Sequence, residues 1–205
     1  MSENEQPMRL GELLLLSFLW MLFGFMLWYY LSVFHGIPVR LAAEHLLQFV
    51  LGDSFHSIIP NPDRRYLLQA QTTVPFEFSD GSTEPLGFII NPLIYGYGLP
   101  LLFGLVMASN ARIWHKLLTL VLGYLAVMVV QIWGVFWQAL KLMSFNFGPE
   151  LAQVVTEAGV SATVIALCYQ LGVLIFPPLV PVIIWVLSNW REVEQYTGWK
   201  PAGRP

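Results

Sequence analysis

The chain has 205 residues, of which 56% are hydrophobic and 11% are charged, whereas roughly a quarter of the residues in soluble domains are charged. This composition excludes a disordered tail and a coiled coil. The net charge of -3 excludes a nucleic-acid binder, because such proteins carry strongly basic surfaces. A single cysteine excludes an intramolecular disulfide framework. We therefore predict a single membrane domain over residues 1–205.

Four segments without Asp, Glu, Lys or Arg are long enough to cross a bilayer, which takes about 20 apolar residues. They comprise residues 13–39, 85–111, 117–140 and 158–190. Because charges are costly at mid-bilayer, the segments predict an all-α integral membrane fold with four transmembrane helices. These helices are expected near residues 11–34, 91–109, 116–141 and 160–189. The first helix is too long for a signal peptide and no cleavage motif follows it, so we interpret it as a retained anchor.

The distribution of Lys and Arg predicts the orientation, since cytoplasmic loops of membrane proteins carry an excess of both. With the N-terminus in the cytoplasm, six of the ten fall in short segments on the cytoplasmic side. These six are Arg9, Arg112, Lys116, Arg191, Lys200 and Arg204. We therefore predict a multi-pass protein of the bacterial inner membrane with both termini in the cytoplasm. Residues 35–90 are then a periplasmic loop insertion, and residues 142–159 are a second, shorter loop.

Both predicted outer loops contain helical patterns. In the first loop, Arg40, Glu44 and Gln48 recur at every fourth position, which places their polar side chains on one face of a helix. We predict a short amphipathic helix there, lying at the membrane surface. In the second loop, Pro149 suits the first turn of a short helix and Gly159 suits its end.

The first loop continues with apolar residues that alternate with period two, over residues 68–78 and again over residues 86–90. Only a β-strand satisfies this period. Turn-forming residues 79–82 separate the two segments, so we predict a β-hairpin. Pro75 and Pro85 each remove a backbone donor, and both strands are therefore expected to be edge strands.

One face of this hairpin is more apolar than an isolated two-stranded ribbon can leave in water. It carries Leu68, Val74, Phe76 and Phe78. We predict that these four residues, hereafter the hairpin face, form an interaction surface for a partner protein. The alternative, that they pack against the chain's own helices, also stays open.

No set of residues in the sequence converges on a catalytic or metal site. Cys168 is the only thiol and has no charged residue within ten positions, and apolar surroundings make a thiol inert. His45, Asp53 and His56 lie in one short segment, but their spacing matches no established metal site. We therefore predict no catalytic residue, no metal and no cofactor.

Polar residues inside the predicted spans must find partners in hydrocarbon. Gln131 and Gln138 are seven positions apart and share one face of the third helix with Gly134, while Gln170 lies in the fourth helix. We interpret the three glutamines as intramembrane polar contacts between helices; a substrate path is the alternative. Asp, Glu and Lys are absent at mid-span, which argues against an ion-coupled transporter.

Prolines mark two of the predicted helices. Pro100 is expected to kink the second helix, and Pro177, Pro178 and Pro181 are expected to bend or break the fourth. A broken helix can bind an ion or a substrate, although a bend also fits a long apolar segment into a thin bilayer core.

Two short motifs resemble those of the exosortase H-associated membrane proteins. The first is residues 91–100, which open the second predicted helix, and the second combines residues 170–172 with the three prolines of the fourth helix. The layout is similar as well, with an N-terminal span, an outer loop that contains β-structure and a hydrophobic bundle. The resemblance implies an accessory protein of a bacterial exosortase protein-sorting system.

Composition and charge predict the lipid bilayer as a partner and no nucleic acid, and the resemblance implies an exosortase-like membrane protein as a further partner. The Cys, Arg and His that exosortases are thought to use cannot be carried over, because Cys168 lies inside a span and Arg112 on the predicted cytoplasmic side. Two alternatives stay open. One is a divergent membrane-embedded exosortase-type cysteine peptidase or transpeptidase that uses Cys168, and the other is a small-molecule or lipid transporter built around the fourth helix.

Overall fold

The computed structural model describes residues 10–77 and 81–197 of the chain. In chain order its elements are α1 (Leu10–Leu51), a 3-10 turn (Gly52–Ser54), β1 (Phe55–Pro60), β2 (Leu68–Glu77), β3 (Thr83–Ile90), α2 (Leu93–Gly96), α3 (Gly98–Ala108), α4 (Ile113–Phe145), α5 (Pro149–Glu157), α6 (Ala162–Gln170), a π-helical segment (Leu171–Ile175), α7 (Phe176–Ser188) and α8 (Trp190–Thr197). The chain forms two compact units. The sheet unit contains Tyr30–Gly96 and Val127–Pro177, and the helical unit contains the described residues of Met1–Tyr29, Tyr97–Ala126 and Pro178–Pro205.

Among the described residues, three helical segments are long and apolar enough to cross a membrane. They are Leu10–Ser54, Ile113–Phe145 and Ala162–Ser188. The second of the four predicted spans corresponds to a shorter apolar stretch, Leu93–Ala108, which is divided at Tyr97 into α2 and α3. The fold is therefore mostly helical with three candidate spans, and the fourth crossing stays a prediction.

The first helix is longer than predicted. α1 is a single helix of 42 residues that contains both the first predicted span and the predicted amphipathic segment, so the prediction of a separate surface helix was wrong. Val39, Ala43 and Leu47 follow one another at four-residue spacing and are fully buried in the core of the sheet unit. Packing of this face stabilises the helix beyond the apolar stretch, even though Pro38 lies inside it.

A three-stranded antiparallel sheet follows α1, in the order β1-β2-β3. The predicted hairpin is confirmed as β2 and β3, with Ala70 opposite Phe88. The third strand, β1, was not predicted, because its apolar residues do not alternate. β2 is consequently the middle strand rather than an edge. β1 pairs only with residues 68–72 of β2, so Pro75 lies beyond that ladder and its missing N–H costs no bond to β1.

The sheet shares one hydrophobic core with α1, α4 and α5. The buried members of this core include Leu47, Ile58, Ala70, Ile90, Ala139, Leu140, Met143 and Leu151. At its margin the rings of Phe88 and Phe147 stack with centroids 5.5 Å apart. The helix predicted to begin at Pro149 is confirmed as α5, and it buries Leu151 and Val155 in this core.

Glycines allow close helix packing in the helical unit. A Cβ at Gly104 would overlap the carbonyl oxygen of Ser17, and a Cβ at Gly123 would overlap the side chain of Leu102. Small residues at such positions let helix backbones approach closely in a membrane. The core of this unit consists of Leu13, Leu102, Val106, Ala108 and Trp185.

The last candidate span contains the π-helical segment directly before Pro177, the first of the prolines that were predicted to bend or break the helix. The N–H of Phe176 donates to the carbonyl of Leu171, five residues earlier. Pro177 follows directly; it has no N–H for the carbonyl four residues earlier, and in an α-helix its ring would clash with that carbonyl. The wider π-turn relieves the clash. The helix therefore continues into α7 instead of ending at the prolines.

Candidate functional site

A buried amide at the centre of the sheet unit binds two other segments of the chain. Gln131 on α4 is 1% exposed. Its Nε2 donates to the carbonyl oxygen of Pro92 at 3.2 Å, so its Oε1 is left to accept the hydrogen bond from Nε2 of His35 on α1. His35 is buried as well. Gln131 thus connects α1 and the segment before α2 to α4 through side-chain hydrogen bonds.

One and two turns further along α4, Gly134 and Gln138 contact Tyr95, the second residue from the end of α2. The Tyr95 side chain is fully buried, and its hydroxyl donates to Oε1 of Gln138 at 2.9 Å. A Cβ at Gly134 would overlap the Tyr95 ring. Gln131, Gly134 and Gln138 therefore contact residues 92–95 from one face of α4. The side-chain amides of Gln131 and Gln138 therefore bind other parts of the chain. In a substrate path, these amides would have to face the substrate.

The other two residues singled out inside the spans lie near the π-helical segment. The indole Nε1 of Trp133 donates to the backbone carbonyl of Cys168 at 2.9 Å, so the tryptophan binds the backbone and not the thiol. The thiol is half-buried. Among the described residues, none hydrogen-bonds the Cys168 sulfur, and Gln170 is exposed without a side-chain hydrogen bond. The arrangement gives Cys168 no base to activate it.

The polar stripe of α1 has a role that the sequence did not predict. The side chains of Arg40, Glu44 and Gln48 bind the backbone of the edge strand β1. Arg40 donates to the carbonyl of Ile58 at 2.6 Å, the N–H of Ile58 donates to Glu44 at 2.7 Å, and Gln48 donates to the carbonyl of His56 at 2.8 Å. The stripe therefore supplies hydrogen-bond partners to backbone groups at the edge of β1. Without these partners, the edge would be open to pairing with another strand. The four-residue spacing was visible in the sequence, but its strand partner was not.

The hairpin face is partly occupied by the chain's own core. Leu68 is 4% exposed and belongs to the core of the sheet unit, and the half-buried side chains of Val74 and Phe76 pack against that core. Phe78, the fourth residue of this face, lies outside the described residues. On the opposite face of the sheet, Ile89 is 53% exposed.

The segment that holds His45, Asp53 and His56 contains no arrangement of metal ligands. Both histidines and the aspartate are exposed. Within residues 10–77 and 81–197, no group of three or more His, Cys, Asp and Glu side chains lies close enough to hold a metal ion. Their spatial positions therefore give no support for a metal centre in the described part of the chain.

A cleft of about 460 Å³ opens in the sheet unit between α1 and the loop that joins β1 to β2. From α1 it is lined by Ser32, Val33, Ile37 and Arg40, and from the loop by Asn61, Arg65 and Tyr66. The Oδ1 atom of Asn61 accepts hydrogen bonds from the N–H groups of Asp63 and Arg64, which fixes the turn. The charged side chains among its described lining residues are both arginines.

Comparison with known proteins identifies the family. The model of the exosortase H-associated membrane protein family matches residues 7–192, which includes every element of the sheet unit. No curated protein and no solved structure matches the chain. The match confirms the resemblance of the two short motifs and agrees with the apolar helices of the fold. The chain belongs to the family of exosortase H-associated membrane proteins.

Proposed function

We propose that the chain is a non-enzymatic accessory protein of the bacterial inner membrane that acts through contacts with an exosortase. Membership of an exosortase-associated family supports the partner. The proposal that the protein is not an enzyme rests on the hydrogen bonds of its buried polar side chains. Gln131 and Gln138 bind His35, Pro92 and Tyr95, so these groups stabilise the fold instead of facing a substrate.

Exposed apolar surface supports the contact with another membrane protein. In the most apolar window of each candidate span, 17%, 39% and 22% of the residues are buried inside the chain. The remaining surface needs lipid or the helices of a partner. We propose that an exosortase covers part of it and that the half-buried side chains of Val74 and Phe76 on the hairpin face add a contact outside the bilayer through the area that the core leaves exposed.

The proposed topology has four crossings, both termini in the cytoplasm and the sheet in the periplasm. The count of Lys and Arg supports this orientation. Leu93–Ala108 would be the fourth crossing; as a helix it has a length of about 24 Å, which is somewhat less than a bilayer core of about 30 Å. Local thinning of the bilayer accommodates such a difference.

Co-purification tests the proposed function. The affinity-tagged full chain is extracted from the membranes of its own bacterium with a mild detergent, and the retained membrane proteins are identified. We expect an exosortase among them, enriched over an unrelated tagged membrane protein. An exosortase that is present in the extract but not enriched would refute the proposal.

A further inference from the structure

The arginine-lined cleft lies where α1 changes from apolar to charged. Its walls include Val33 and Ile37, which belong to the long segment without charges, and Arg40 is the first charged residue after that segment. Tyr30 and Phe34 on the same part of α1 are 81% and 71% exposed, and aromatic side chains are enriched at the level of lipid headgroups. The cleft thus has an apolar part and a cationic part next to each other.

The two arginines differ in how firmly they are held. Arg40 is fixed by its hydrogen bond to the carbonyl of Ile58 and by Glu44, whose carboxylate lies 3.7 Å away. Glu44 offsets part of the charge of Arg40, but the guanidinium has five N–H donors and one of its nitrogens makes these contacts. Arg65 is exposed and makes no hydrogen bond or ion pair with any described residue. Its guanidinium is therefore available to a ligand.

We propose that this cleft binds the phosphate headgroup of an anionic phospholipid, with Arg65 and Arg40 on the phosphate and an acyl chain along Val33 and Ile37. Guanidinium groups bind phosphate oxygens in pairs of hydrogen bonds. The volume of about 460 Å³ lies within the range of small-ligand sites. A lipid is favoured over a soluble phosphate because the apolar wall adjoins the polar one where the uncharged stretch of α1 ends at Arg40. This inference is independent of the proposed exosortase contact.

Native mass spectrometry of the detergent-solubilised full chain tests the proposal by counting bound lipids. Dipalmitoyl phosphatidylglycerol is the probe, and dipalmitoylglycerol and glycerol 3-phosphate supply its two halves separately. We expect one phosphatidylglycerol to bind at least about tenfold more tightly than either half, because each half loses one part of the site. Equal affinity for glycerol 3-phosphate would overturn the lipid in favour of a soluble phosphate, and equal affinity for dipalmitoylglycerol would overturn the role of the phosphate.

Two neighbouring arginines provide a matched pair of variants. Arg65→Ala removes a guanidinium that lines the cleft, whereas Arg64→Ala removes the same charge from an exposed residue that does not line it. We expect Arg65→Ala to weaken phosphatidylglycerol binding about tenfold and Arg64→Ala to leave it unchanged. Equal losses would indicate a general surface-charge effect and overturn the site. Lipid binding that is unchanged in Arg65→Ala, together with lost exosortase co-purification, would assign the cleft to a protein partner and also overturn the proposal.

Discussion

The ring of Tyr95 lies against the Cα atom of Gly134, so that a methyl group at position 134 would occupy the space of the ring. The same ring is fixed at its other end by the hydrogen bond to Gln138. Tyr95 therefore cannot move away from a larger residue without losing that bond. This contact joins α2 to α4 within the sheet unit.

We expect Gly134→Ala to lower the free energy of unfolding by about 1–3 kcal/mol, the usual cost of an added methyl group in a packed core. Gly11→Ala is the control, because Gly11 is also helical and a Cβ there would have no atom within 4 Å; it should be neutral or slightly stabilising. Unfolding in mixed detergent micelles, followed by tryptophan fluorescence, measures both. Equal stability of the two variants would contradict the packing described for Tyr95.

The bonds from α1 to β1 predict a second effect on stability. Glu44→Ala leaves the N–H of Ile58 without its acceptor, and an unsatisfied buried donor costs about 1–3 kcal/mol. His45, the neighbouring exposed residue, serves as the control. His45→Ala is expected to change the free energy of unfolding by less than about 0.5 kcal/mol. Hydrogen exchange at the Ile58 amide should be faster in Glu44→Ala and unchanged in His45→Ala. Unchanged exchange in both variants would show that Glu44 does not protect this strand edge.

Cys168 provides a test of the non-enzymatic proposal. The thiol has no described hydrogen-bond partner, and Trp133 binds the backbone carbonyl of this residue rather than its sulfur. Cys168→Ser should therefore preserve membrane abundance and support exosortase-dependent sorting in a deletion strain as well as the wild type does. Loss of sorting at normal abundance would instead support the peptidase alternative.

The topology can be tested by cysteine labelling in the Cys168→Ser background. Ser82→Cys lies at an exposed position just before β3, and Ala202→Cys lies outside the described residues. A membrane-impermeant thiol reagent added to spheroplasts should label position 82 but not position 202, which should react only after the membrane is permeabilised. Labelling of both positions from the same side would contradict the four-crossing topology with cytoplasmic termini.

The sequence predicts which helices and strands form better than it predicts where they begin and end. Apolar length alone indicated the helices at Ile113–Phe145 and Ala162–Ser188, which are candidate spans, and strict alternation indicated β2 and β3. The end of α1 was missed because its continuation depends on the burial of Val39, Ala43 and Leu47 against distant elements. Hydropathy does not encode such tertiary contacts.

The polar contacts were only partly predictable for the same reason. The spacing of Gln131 and Gln138 indicated one helix face, but their partners His35, Pro92 and Tyr95 come from other parts of the chain. Likewise β1 has no alternating pattern of its own and is recognised through its pairing with β2 and the side chains of α1. Local patterns cannot identify partners that are distant in sequence.

The amount of exosortase retained by hairpin-face variants tests the central proposal most directly. Phe76→Ser combined with Phe78→Ser changes this face, and Ile89→Ser makes a similar change at an exposed position on the other face of the sheet. Full-length proteins are compared at equal membrane abundance, and the exosortase that co-purifies is quantified. We predict a loss of at least about tenfold for the double variant and none for Ile89→Ser. Wild-type abundance with unchanged exosortase in the double variant, or loss of the protein itself, would contradict docking through this face.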